Sequence, residues 1–168
     1  MKYWTLLFFL ITVSILNGCL NDPRQRSTYP FAGLWTLHIM EQQDSITGEW
    51  REWRNGMQGY ILYDDNGHMA LHLTKKGYQN TNLRFPNFVD TISMDALKHL
   101  TGSYVYFARY KNLKEDSIIE HSRISHSNPG EWNGVVRRKY FFIGDTLVLR
   151  PVENQNSGLR LKWTKADI

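Results

Sequence analysis

From residue 31 onward the chain is written in short runs of aromatic and β-branched residues, each closed by turn formers. That rhythm constrains the fold more than any single motif, because period-2 runs bounded by Gly, Pro, Asn and Asp read as strands. Eight such runs are expected as strands: Gly33 to Glu41, Gly59 to Tyr63, His68 to Thr74, Ser103 to Lys111, Ser117 to Ile124, Gly134 to Ile143, Thr146 to Arg150 and Leu159 to Thr164. Asp64-Asp65-Asn66-Gly67 supplies a hairpin turn. Further turns are expected at Lys114-Glu115-Asp116, Asn128-Pro129-Gly130, Gly144-Asp145 and Asn154 to Gly158. Eight antiparallel strands joined mostly by short loops close into an all-β up-and-down barrel, whose interior fills with side chains or holds one small ligand. A β-sandwich is the alternative, since strand count alone does not separate the two.

One connection breaks the rhythm. Lys75 to Gly102 is too long for a hairpin loop, and within it Ser93 can cap a short helix, Met94 to Leu100, between the third and fourth strands. Asp95 sits in the favourable first turn, and Lys98 and His99 lie near the end. Met94, Leu97 and Leu100 fall on one face, expected to cover an end or a wall of the barrel, with a movable lid as the alternative.

Ahead of the strands lies a different kind of sequence. Lys2 is followed by an apolar run from Leu6 to Leu16 and then Asn17-Gly18-Cys19. This is the layout of a secretory signal peptide, too short for a membrane span of roughly 20 residues. Leucine three residues before a cysteine, with glycine just before it, resembles the lipobox of bacterial lipoproteins. Cys19 is the chain's only cysteine and has no disulfide partner. The expected organisation is therefore a signal peptide over 1–18, a lipid-anchored tether over 19–29 and a barrel over 30–168. Lipidated Cys19 would hold the barrel in the bacterial cell envelope, on a membrane outside the cytoplasm, with the outer membrane preferred. The mature chain would have 150 residues and a mild charge of +3, which calls for no polyanionic partner.

Adjacent strand residues point to opposite faces, so consecutive polar pairs must place one member inside a closed barrel. Arg137-Arg138 and Glu120-His121 are two such pairs. An inward arginine needs a carboxylate, hydroxyls, water or an anionic ligand; Glu120 and Tyr106 are expected internal partners for Arg138. Tyr104, Tyr106 and Tyr110 share a strand face and can offer hydroxyls. Together with His121, Arg138, Met69 and Leu71 they form the expected ligand-binding set. No catalytic residue is assigned. His68 and His72 share a face but lie about 13 Å apart, too far for one metal ion, and the sequence has no HExxH, GxSxG, P-loop or dinucleotide fingerprint, so neither metal nor cofactor is expected. Arg137-Arg138-Lys139 is split between faces by strand alternation, and no nucleic-acid partner is expected. Trp50 and Trp53, in the connection after the first strand, suit a barrel mouth, a partner surface or ordinary packing.

Gly33-Leu34-Trp35 resembles the GxW signature of lipocalins, in which the tryptophan closes one end of an eight-stranded barrel. The ordered series Gly59 to Tyr63, Asp65 to Met69, Tyr106 to Tyr110, His121, Pro129 to Trp132, Gly134 to Arg138, Asp145 to Leu149 and Leu161 to Trp163 resembles the bacterial lipocalin-like domain family over Phe31 to Thr164. Three departures stand out: Ala108 where the family usually has glycine, no final arginine directly after Trp163, and Trp50-Arg51-Glu52-Trp53 in place of a proline-rich loop. The resemblance implies a barrel with a small-molecule cavity and no fixed activity. The leading reading is a membrane-anchored protein that binds a small lipophilic molecule with a polar or acidic head. An isomerase, cyclase or hydrolase on the same barrel, and an envelope interaction protein with a filled barrel, are the alternatives.

Overall fold

The computed structural model describes residues 29–83, 91–153 and 158–166. The expected leader, Cys19, the tether up to residue 28 and most of the Asn154 to Gly158 turn lie outside the described residues. Nine strands are formed among the described residues: β1 (Gly33–Gln43), β2 (Trp50–Glu52), β3 (Met57–Tyr63), β4 (His68–Lys75), β5 (Ser103–Leu113), β6 (Ile118–His126), β7 (Val135–Ile143), β8 (Thr146–Pro151) and β9 (Leu159–Lys165). All but β2 follow one another around a single antiparallel sheet, and β1 pairs with β9 as well as β3, which closes the barrel. β2 is a three-residue addition to the far end of β1, pairing Glu41 with Glu52 and Gln43 with Trp50.

Two bulges decide which polar residues the barrel encloses. In β1 the register slips between Leu37 and Ile39, so inward Trp35 and Leu37 are followed by inward Met40 instead of Glu41. Glu41 is thereby turned outward beneath Arg160 at 2.6 Å and Lys162 at 2.9 Å. Burial pushes its carboxyl pKa up, but the hydrogen bonds and charges of Arg160 and Lys162 outweigh this and hold it below the ordinary value. Trp50 covers the pair, with the Arg160 guanidinium 3.7 Å from its ring centre. In β6 the slip falls opposite Phe107 and Ala108; His121 and Arg123 face inward before it, and His126 faces inward after it.

β3 and β4 approach so closely at Gly59 that a Cβ there would lie 1.9 Å from the His72 carbonyl oxygen, and Gly59 has φ +148°. Glycine is the residue that permits this contact.

One end of the barrel is packed solid with rings. Tyr29 stacks on Phe31, and Phe31 meets Tyr63, Tyr110 and Tyr140 edge-on at 5.1 to 5.7 Å. Trp35 is 2 % exposed and donates its Nε1–H to the Phe31 carbonyl at 2.7 Å. No arginine follows Trp163 directly, but Lys165 lies over Trp35, 4.2 Å from the ring centre, and donates to the Ala32 carbonyl. Each buried ring removes about 150–250 Å² from water, so this cluster contributes strongly to the stability of the fold.

The helix α1 (Met94–Leu100) forms at the opposite end as expected, with the Ser93 hydroxyl accepting from the Ala96 N–H. Its packing differs from the expectation. Ala96 is the buried residue, whereas Met94, Leu97 and Leu100 are 63 %, 42 % and 43 % exposed. A seven-residue helix held by its flanks against a barrel rim can bury a single small residue without burying its apolar row.

Candidate ligand-binding cavity

The inward positions of the strands do not fill the barrel evenly. At the end carrying α1, many of the side chains between the walls are aliphatic or sulfur-bearing, and they leave a cavity of about 580 Å³. That volume lies in the range of small-molecule sites. Met40, Met57, Ile61, Leu71, Leu73, Leu149, Leu159 and Leu161 make most of its wall, and Trp53, Arg54, Lys75, Lys98, Thr101 and Pro151 stand toward its opening. One side of the cavity is polar and built by β5, β6 and β7: Tyr104, Tyr106, His121 and Arg138.

His121 organises this polar side. It is 0 % exposed, with the Tyr63 hydroxyl oxygen 3.0 Å from its Nε2 and the Tyr106 hydroxyl oxygen 2.8 Å from its Nδ1. Burial lowers its pKa to about 3, and the nearby Arg138 and Arg123 guanidinium charges act in the same direction. Burial also raises the pKa values of the Tyr63 and Tyr106 hydroxyls well above the ordinary phenol value. At neutral pH the three side chains are therefore all uncharged.

The two arginines beside them are paired differently from the expectation. Glu120 points outward and binds Arg137, its cross-strand neighbour, at 2.8 Å. Arg138 reaches inward and pairs with Glu153 at 3.1 Å while donating to the Arg137 carbonyl. The expected Glu120 pairing for Arg138 fails because alternation places the two on opposite faces, whereas the expected Tyr106 shares the cavity with Arg138 and feels its charge. Arg123 is 7 % exposed and is held by Glu131 and the Gly134 carbonyl. His126 accepts from the Asn128 N–H at 2.8 Å through Nδ1 and stacks on Tyr106.

Of the seven expected ligand contacts, Tyr104, Tyr106, His121, Arg138 and Leu71 line the cavity. Met69 and Tyr110 share their inward face but sit in the packed aromatic end, where the Tyr110 hydroxyl donates to the Asp64 carbonyl. Strand alternation identifies the face and says nothing about depth along it. Trp53 reaches the opening, whereas Trp50 packs against Arg160 on the outer wall. Several residues escaped the sequence reading. Arg123 lies two positions from His121, a signal that could have found it; His126 was concealed by the bulge.

A closed antiparallel barrel, solid at one end and hollow at the other, defines a class of protein suited to holding a small molecule. Residues 32–166 match the model of the lipocalin-like domain, and the chain belongs to that family. No curated protein matches the chain.

Proposed function

We propose that this protein is an envelope lipoprotein that captures a small lipophilic molecule with a polar or acidic head inside its barrel. The observation that carries the reading is the cavity of about 580 Å³, apolar along most of its wall and bearing Tyr104, Tyr106, His121 and Arg138 on one side. A tail would lie against the leucines and methionines, and the head would meet hydroxyls and the Arg138 guanidinium. The lipobox-like Leu16 to Cys19 supports anchoring through Cys19 to a membrane outside the cytoplasm.

The hydrogen-bonded trio also bears on the catalytic alternative. A general base working near neutral pH needs a pKa near neutrality, and His121 at about 3 is far from that. Its tyrosine partners are shifted away from neutrality too. The trio is a fixed polar surface, better matched to recognition than to proton transfer.

The test is to purify the full chain under native conditions, extract it with organic solvent and identify released compounds by mass spectrometry. Binding of N-phenyl-1-naphthylamine and its displacement by decanoate are measured alongside. Recovery of an amphipathic molecule, or saturable displacement, supports the reading; neither would sink it. Cys19→Ser should leave binding intact and move the protein from the membrane to the soluble fraction.

A further inference from the structure

The Tyr63–His121–Tyr106 chain has a direction, and that direction selects the chemistry of the ligand. This deepens the reading of the cavity as a small-molecule site and rests on it. A neutral imidazole has one N–H and one bare nitrogen. Each of the two contacts, 3.0 Å to Tyr63 and 2.8 Å to Tyr106, needs one donor. Two arrangements satisfy both. In the first, Tyr63 donates to Nε2 and the Nδ1–H donates to Tyr106, which leaves the Tyr106 O–H unused. In the second, Tyr106 donates to Nδ1 and the Nε2–H donates to Tyr63, which leaves the Tyr63 O–H unused.

The surroundings distinguish them. Tyr63 and Tyr106 are each 1 % exposed, but Tyr63 does not line the cavity; its ring is enclosed by Phe31 at 5.1 Å, Tyr110 at 5.2 Å and His121. His121 is the one hydrogen-bond partner its hydroxyl has among the described residues. A spare O–H there would carry the full desolvation penalty of a buried donor without a partner. Tyr106 lines the cavity, where a spare O–H can meet a ligand or water.

We infer that Tyr63 fixes His121 as the Nδ1–H tautomer, making the Tyr106 hydroxyl a dedicated donor to a carbonyl or carboxylate oxygen of the bound molecule. Tyr63 is then a positioning residue, since it touches no ligand and acts through His121. The Arg138 guanidinium, a donor with no acceptor capacity, lines the same cavity. Both groups favour a head that accepts hydrogen bonds, and an ammonium head meets a donor and a like charge.

Nitrogen-15 spectra of the full chain without ligand read the tautomer directly. His126 is an internal reference of opposite sense, because its Nδ1 accepts from Asn128 and the proton sits on Nε2. The expected result is Nδ1–H at His121 and Nε2–H at His126. In Tyr106→Phe, decanoate should bind about tenfold more weakly, and the acceptor-poor probe N-phenyl-1-naphthylamine should change less than about twofold. In Tyr63→Phe, decanoate should lose about threefold although no contact is removed, and the His121 nitrogen pattern should become mixed.

An Nε2–H tautomer at His121 in a protein that binds both probes overturns the relay and leaves the cavity reading standing. Unchanged decanoate affinity in Tyr106→Phe overturns the assigned donor. Failure of both probes to bind the wild-type chain removes the cavity reading, and the ligand class inferred from it falls too.

Discussion

The two ends of the barrel are built on the same strands with the same alternation, yet one is solid and the other hollow. At the solid end Tyr29, Phe31, Trp35, Tyr63, Tyr110 and Tyr140 fill the space between the walls. At the hollow end the corresponding inward positions carry Met40, Met57, Leu73, Leu159 and Leu161. A ring fills a barrel layer that a leucine leaves open. Fold and ligand site are thus separated along one axis by side-chain size, with the neutral Tyr63–His121–Tyr106 chain at the boundary.

The separation can be broken most forcefully at the solid end. Phe31→Ala removes a 0 % exposed ring that touches four others and should cost about 3–5 kcal/mol in urea unfolding. Probe affinity of the remaining folded protein should be unchanged; a parallel loss of affinity would show that the ends are not independent.

The boundary is tested by pH. His121 takes a proton near pH 6.5 in the unfolded chain and near pH 3 when folded, so between these values the unfolded state binds more protons. Its contribution is fully present above about pH 6.5 and is lost as pH falls toward 3, with a limiting slope of about 1.4 kcal/mol per pH unit. Between pH 6.5 and 4.5 this amounts to roughly 2–3 kcal/mol. Subtracting the profile of His121→Asn isolates it from the carboxylates, and equal slopes in the two proteins would refute a buried neutral His121.

A smaller effect is expected inside the cavity. Leu73→Trp adds bulk where space exists, so N-phenyl-1-naphthylamine affinity should drop at least about tenfold, or 1.4 kcal/mol, with less than 1 kcal/mol change in unfolding free energy. The smallest effect belongs to α1: Leu97→Ser should shift stability by no more than about 0.5 kcal/mol, because that side chain is already 42 % exposed. A larger loss in thermal denaturation would mean that the apolar row of the helix is covered in solution.

Much of this was legible in the sequence because alternation and turn chemistry act locally. The eight barrel strands, the Ser93-capped helix and the rule that one member of each pair, Glu120-His121 and Arg137-Arg138, faces inward all follow from neighbour relations a few residues long. What escaped depends on registers set across strands. Neither the slip at His38, which expels Glu41, nor the one at Ile124, which turns His126 inward, leaves a mark in its own strand's composition. Depth was equally hidden: Tyr106 and Tyr110 are four residues apart on one face, yet one lines the cavity and the other the packed end. The exposed row on α1 shows the converse failure, where periodicity marked an apolar face that tertiary packing does not use.

The place of Tyr29 has a directional consequence. It sits among the rings of the solid end, stacked on Phe31 and edge-on to Tyr110, so the described chain begins at the base of the barrel. With eleven-residue strands such as β5, tilted in the usual way, the barrel stands roughly 25–30 Å tall. Ten peptide steps separate Tyr29 from Cys19, and a flexible chain of that length would span about 17 Å. Under the proposed anchoring through Cys19, the barrel would be a cup standing on its foot, with its rim turned from the bilayer and its cavity open across the aqueous gap to an opposing surface or a soluble carrier.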